Sequence, residues 1–148
     1  MFIGLLGDAD AQVYWHWSQS CGASDSDKAN DVAVDGNGNV YVGGFYNGTG
    51  IFGNDTVSSG NGSKEAYVAK YDSLGNFIWV RYCVSGLDDR TLGVHITPTN
   101  DVMITGTFWS YANFEMQTVS SSSADQSFVA KYDSNGNLLW VRDSQAAG

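Results

Sequence analysis

At 148 residues with 43% hydrophobic side chains, the chain is long enough for one domain with a true core, which excludes a disordered tail. Seven basic against sixteen acidic residues leave a net charge of −9. That balance excludes nucleic acid and anionic membrane surfaces as partners, since both demand a basic footprint.

No apolar run approaches the ~20 residues of a membrane span. The opening Met1–Gly7 has neither the basic start nor the apolar length of a secretion signal. Eighteen Gly, 7 Phe, 8 Tyr and 5 Trp favour short strands and tight turns over helices.

In chain order, residues 1–20 read as a hairpin: Phe2-Ile3-Gly4-Leu5-Leu6, a turn near Asp8, then Val13-Tyr14-Trp15. Residues 21–83 read as four strands, Asp31–Asp35, Val40–Tyr46, Ala66–Asp72 and Phe77–Cys83. The turns Asp35-Gly36-Asn37-Gly38-Asn39 and Asp72-Ser73-Leu74-Gly75-Asn76 join them in pairs. Asp opens such a turn through its side chain, and Gly takes the left-handed position. Between the second and third strands runs a long polar stretch, residues 47–63. Residues 84–148 read as the same unit again, with a polar counterpart at residues 110–126. No segment sustains a 3.6-residue apolar period, so helices are not expected.

The repetition is nearly literal. Tyr67-Val68-Ala69-Lys70-Tyr71-Asp72-Ser73-Leu74-Gly75-Asn76-Phe77-Ile78-Trp79-Val80-Arg81 recurs as Phe128-Val129-Ala130-Lys131-Tyr132-Asp133-Ser134-Asn135-Gly136-Asn137-Leu138-Leu139-Trp140-Val141-Arg142, 133 − 72 = 61 residues on. Residues 32–45 and 94–107 align at an offset of 62, with Thr97-Pro98-Thr99-Asn100 in place of the Asp-Gly-Asn-Gly turn. Residues 1–20 lie over the closing hairpin with Leu5 at the Lys position. The chain thus holds about two and a half units, and the expected fold class is all-β.

A four-stranded antiparallel unit of about 40–60 residues is the signature of a β-propeller blade. The phrases Val-Ala-Val-Asp-x-x-Gly-Asn-Val-Tyr-Val-x-Gly and Phe-Val-Ala-Lys-Tyr-Asp-Ser-x-Gly-Asn-Leu-x-Trp closely resemble the bacterial β-propeller repeat of the SBBP family. That resemblance implies an exported bacterial protein, extracellular or on the cell surface, and no defined catalytic residues or cofactor. Propellers close with typically 4–8 blades, so two and a half units are incomplete as a single chain. Bare blade faces and unpaired edges invite another chain. The expected partners are therefore copies of the chain itself, head to tail, in a ring or filament. The expected contact is the apolar N-terminal hairpin: Phe2, Ile3, Leu5, Val13 and Trp15. The alternative is that the chain is a fragment of a larger secreted repeat protein, a module binding surface glycans or another ligand through the aromatics Tyr46, Phe52, Trp109 and Tyr111.

Trp79 and Trp140 hold one position of the fourth strand and are expected in the core between blades, with Trp15 in the same slot of the half unit. Trp17 and Trp109 fall outside that slot. Asp35, Asn37 and Asn39, like Asp133, Asn135 and Asn137, alternate as calcium ligands do. An EF-hand loop needs Gly at its sixth position, and here Val40 or Leu138 stands there, so these are expected to be plain turns without metal. Cys21 and Cys83 are equivalent repeat positions 62 apart rather than a clustered pair, and neither they nor His16 and His95 have metal-ligand spacing. Asp88 and Asp89 are the one adjacent acid pair noted, and no nucleophile elbow or phosphate loop is present. Asn47, Asn54 and Asn61 each open a glycosylation-type triplet.

Overall fold

The computed structural model describes residues 17–20, 22–59, 62–122 and 125–144. These residues form strands and turns, with no helix among them, as the repeat predicts. A short strand, β1 (Gly22–Ala23), precedes the first four-stranded sheet. That sheet orders β2 (Lys28–Val34), β3 (Val40–Asn47), β6 (Lys64–Tyr71) and β7 (Phe77–Tyr82), each antiparallel to its neighbour. The second orders β8 (Arg90–Ile96), β9 (Val102–Phe108), β12 (Gln126–Tyr132) and β13 (Leu138–Asp143) in the same way.

The polar stretches between second and third strands are not open connections. They fold into hairpins, β4 (Thr49–Phe52) with β5 (Asp55–Ser58), and β10 (Tyr111–Phe114) with β11 (Gln117–Ser120). Each alternates buried and exposed residues, so Phe52 and Val57, or Phe114 and Val119, point inward from a chain that reads as polar overall. Strand β1 pairs with β4 and makes the first hairpin three-stranded.

The strand-joining turns repeat one hydrogen-bond pattern. In the second sheet, Asp133 Oδ1 accepts from the Asn135 and Asn137 N–H groups at 2.9 Å, and its Oδ2 accepts from the Asn137 side chain at 2.8 Å. Asp72 does the same with Leu74 and Asn76, and Asp35 with Asn37 and Asn39. In the divergent turn, the Thr97 hydroxyl accepts from the Asp101 N–H at 3.1 Å and Asn100 takes the left-handed position, with φ of 61°. These carboxylates are occupied by N–H donors from their own turns.

Two apolar cores result. One lies between the sheets, where Tyr41, Val68 and Trp79 of the first meet Ile104, Phe128 and Tyr132 of the second under Phe114 and Val119. The other covers the opposite face of the first sheet, where Tyr46, Tyr67, Tyr71 and Val80 pack with Phe52 and Val57. Near the inner strands, Asn30 Nδ2 donates to the Thr91 carbonyl at 2.7 Å and Val94 N–H donates to Asp31 Oδ2 at 2.8 Å.

The outer face of the second sheet carries Met103, Val129 and Trp140 where the first sheet has Tyr41, Val68 and Trp79. All three are half-buried. Trp140, expected in the core, is therefore not there, because no third sheet lies against it among the described residues. This separates two chemically identical positions. Trp79→Ala should cost about 3–5 kcal/mol, the usual range for emptying a buried large aromatic site. Trp140→Ala should cost under about 1.5 kcal/mol, because little packing is lost there. Urea melts of the two variants measure the difference, and equal costs would contradict the assignment of the faces.

Candidate functional site

Three features could carry function: the joint between successive sheets, a cleft beside it, and a buried acidic cluster beneath the cleft.

The joint is built from the repeated phrase itself. Lys70, Trp79 and Arg81 project from the first sheet onto the turn Asp133–Asn137 of the second. Lys70 Nζ donates to the Ser134 carbonyl at 2.8 Å, Trp79 Nε1 to the same carbonyl at 3.3 Å, and Arg81 Nε to the Gly136 carbonyl at 2.7 Å. The Arg81 guanidinium lies over the Trp79 ring, 5.5 Å from its centre, and pairs with Glu115 at 3.1 Å. Gly136 has φ of 84°, and a Cβ there would sit 3.0 Å from the Trp79 ring. Both the backbone and the ring thus require glycine. Burial lowers the Lys70 pKa, against the pull of Asp35 and Asp133.

The same joint occurs one repeat earlier. Trp17 Nε1 donates to the Ser73 carbonyl at 3.2 Å, Gln19 Nε2 to the Gly75 carbonyl at 3.0 Å, and the Trp17 ring covers Gly75. Trp17, expected outside the repeated slot, is therefore the residue that fills it on the turn Asp72–Asn76. Trp17 to Trp79 spans 62 residues and Trp79 to Trp140 spans 61, so the tryptophan positions differ in spacing by one. Phe2, Ile3, Leu5, Val13, Trp15, His16 and Cys21 lie outside the described residues, as does Asn61.

Of the four proposed ligand-contact aromatics, the structure places only two at a surface. Tyr46 and Phe52 are 0% and 1% exposed, packed edge to face at 6.0 Å within the second core, and cannot form a binding platform. Their hairpin folds over its own sheet, which the polar composition of residues 47–63 did not reveal. Trp109 and Tyr111 are 39% and 44% exposed. Trp109 lines a cleft of about 470 Å³ with Leu87, Asp88, Arg90, Thr107 and Asp125. Its indole N–H donates to the Asp125 carboxylate. Asp125 itself and Ser110, next to Trp109, hold φ of 54° and 66°, an uncommon conformation for residues other than glycine. Asn54 is exposed at a hairpin tip, and Asn47 sits half-buried at the end of β3.

Beneath the cleft, Glu65 at the start of β6, Cys83 just after β7 and Asp89 just before β8 are each fully buried. One ligand atom from each lies within 4.8 Å of the others. Ser63 Oγ donates to Glu65 Oε1 at 2.8 Å and the Ser85 N–H to Oε2 at 3.1 Å. The Cys83 thiol donates to Asp89 Oδ2 at 3.2 Å and the Trp109 N–H to Oδ1 at 3.3 Å. Burial pushes the Glu65 carboxyl up to about 7 and that of Asp89 to about 6, and it pushes the Cys83 thiol up as well. Asp88, the other acid of the adjacent pair, points outward and bridges Lys64 and Arg90 at 3.0 and 3.3 Å. No sequence spacing signals this cluster, which folding gathers from three segments.

The turn that receives Trp79 has a definite pH response. Slight burial disfavours ionised Asp133, but hydrogen bonds from the Asn137 side chain and the turn N–H groups outweigh it and hold the carboxyl below its usual 3.8. A group with a lowered folded value stabilises the fold above the ordinary pKa and loses that contribution as pH falls through the folded value. Trp79 fluorescence should therefore report loosening of the joint only below pH 3.8. Asp133→Ala should melt several degrees lower at neutral pH and lose the acid-dependent step. A step unchanged in that variant would contradict this origin.

A family model of the β-propeller repeat, SBBP, matches residues 5–45, which bears out the resemblance seen in the repeated phrases. An uncharacterized WD repeat-containing protein of Acanthamoeba polyphaga mimivirus is 27% identical over 155 residues. That alignment covers 84% of this chain and 11% of the relative. The chain therefore spans a small part of the relative's length, and a viral relative does not carry the bacterial origin that the resemblance implies. No helix among the described residues is long and apolar enough to cross a membrane. Tandem four-stranded antiparallel sheets and the match to the β-propeller repeat together describe an all-β chain of propeller-type blades.

Proposed function

We propose that the chain is a non-enzymatic, extracellular structural segment that joins copies of itself head to tail through blade faces, in a ring or filament. The observation that supports this most is the second sheet's outer face. Trp140 and Arg142 repeat Trp79 and Arg81, down to the Arg Nη1 bond with the preceding carbonyl, 2.7 Å in one and 2.8 Å in the other. Yet Trp140 is half-buried and Arg142 exposed, with Met103 and Val129 beside them. A joint whose two sides differ makes a heterologous contact, which closes into a ring or grows as a filament. The N-terminal hairpin, with Phe2, Ile3, Leu5, Val13 and Trp15, would supply the complementary side. The unit boundaries proposed are residues 1–20, 21–83 and 84–148. Low charge and Ser/Thr/Asn-rich loops suit an extracellular setting.

Light scattering of the intact chain at micromolar concentration should show species larger than one chain. Trp140→Ala with Arg142→Glu should shift them toward monomer while the chain stays folded, with a smaller fall in melting temperature than Trp79→Ala causes. A monodisperse intact monomer would refute self-association.

The cleft favours a second reading, a glycan- or ligand-binding module. Trp109 presents a half-exposed ring beside Asp125, Asp88 and Arg90, and Ser110 and Asp125 are strained. Saccharide titrations followed by Trp fluorescence test it. Quenching that Trp109→Ala abolishes would support this reading, and the absence of any response across a panel of neutral and acidic glycans would count against it.

A further inference from the structure

The buried cluster of Glu65, Cys83 and Asp89 lacks a counter-charge. Among the described residues no salt bridge reaches either acid, and the adjacent bases Lys64 and Arg90 are engaged outside by Asp88. Two carboxylates with 0% exposure and no cation are costly to hold in a protein interior. A second, independent sign comes from Tyr46. It stands directly opposite Glu65 in the β3–β6 register, is 0% exposed, and its phenol interacts electrostatically with Glu65 and Cys83. Its hydroxyl nevertheless has no hydrogen-bond partner. A sealed hydroxyl without a partner, opposite the Glu65 carboxylate and near the Cys83 thiol, marks a place where a further group belongs.

We propose that Glu65, Cys83 and Asp89 bind a divalent transition-metal ion of the zinc class, with the Tyr46 hydroxyl beside its open coordination position. Zinc bonds of about 2.0–2.3 Å at the tetrahedral angle hold ligand atoms roughly 3.3–3.7 Å apart. Cys83 Sγ and Asp89 Oδ2 already stand 3.2 Å apart, and the remaining donors, within 4.8 Å, close by about 1 Å on binding. The thiol selects against calcium and magnesium, which prefer oxygen alone, while mixed oxygen and sulfur donors suit zinc or cobalt. Ser63, the Ser85 N–H and the Trp109 N–H already hold the carboxylates from outside, as second-layer partners do at metal sites. The Cys83 proton, donated to Asp89 without metal, leaves to solvent when the thiolate binds.

Calorimetric titration of the full chain with zinc chloride should show one ion bound per chain, with a heat that depends on the buffer because a proton is released. Cobalt chloride should produce a thiolate-to-cobalt charge-transfer band in the near ultraviolet. Cys83→Ser should abolish that band, and Glu65→Gln and Asp89→Asn should each weaken uptake about tenfold or more. Asp55→Ala, at the exposed start of β5, should leave uptake unchanged. If an acid variant fails to fold, the wild-type cobalt spectrum and Cys83→Ser decide the question. No one-to-one uptake at submillimolar metal, or a cobalt spectrum unchanged by Cys83→Ser, would overturn the site.

Discussion

The structure depends on one contact: a tryptophan ring laid on the glycine of a five-residue turn, with flanking donors closing on the turn's carbonyl groups. Trp79 sits on Gly136 while Lys70 and Arg81 hold Ser134 and Gly136, and Trp17 and Gln19 make the shorter version on Ser73 and Gly75. Apolar burial between sheets is non-directional and would tolerate many relative placements. Hydrogen bonds to fixed carbonyls and a ring seated where no side chain fits do not. The joint therefore sets how one sheet meets the next, and the core between them fills around it.

From this follows the division of labour within a repeat. Inner strands meet through Asn30, Asp31 and the backbone of β8, and outer strands through the tryptophan joint. The inserted hairpin then covers the face toward the preceding unit, as Phe52 and Val57 do in one repeat and Phe114 and Val119 in the next. The second sheet repeats these parts, including the plug of Trp140 and Arg142, but Lys131 turns to Asp101 at 2.9 Å where Lys70 reaches the next turn. Asp101 stands where the first repeat has Asn39, so only the second lysine has an acidic side chain at that position.

Much of this was legible in the letters. The phrase from Tyr67 to Arg81 recurs almost unchanged because it holds both halves of the joint: the donors Lys, Trp and Arg, and the turn Asp-Ser-x-Gly-Asn that accepts them. Its strands and turns could be placed from alternation and turn chemistry alone. The Trp17 assignment was missed because an alignment that matched Asp8 with Asp72 put Trp15 in the slot, 64 residues before Trp79, whereas the joint sets that spacing at 62. Tyr46 and Phe52 read as loop aromatics because residues 47–63 are polar on average, although a hairpin needs only alternate apolar residues to bury one face. The acidic cluster was illegible for a different reason. Glu65, Cys83 and Asp89 stand on separate segments, and only the folded end of the first sheet brings them together.

The most direct test of the account is a double-mutant cycle across the joint, measured by urea unfolding with Trp79→Leu, Gly136→Ala and the double variant. Gly136→Ala alone bears both the strain of a left-handed alanine and the clash with the Trp79 ring; only the second is relieved when the ring is removed. Contacting residues commonly couple by about 0.5–3 kcal/mol. The account predicts that Gly136→Ala costs at least about 1 kcal/mol less in the Trp79→Leu background. Additive costs, with no coupling beyond error, would contradict the claim that this ring on this turn joins the sheets.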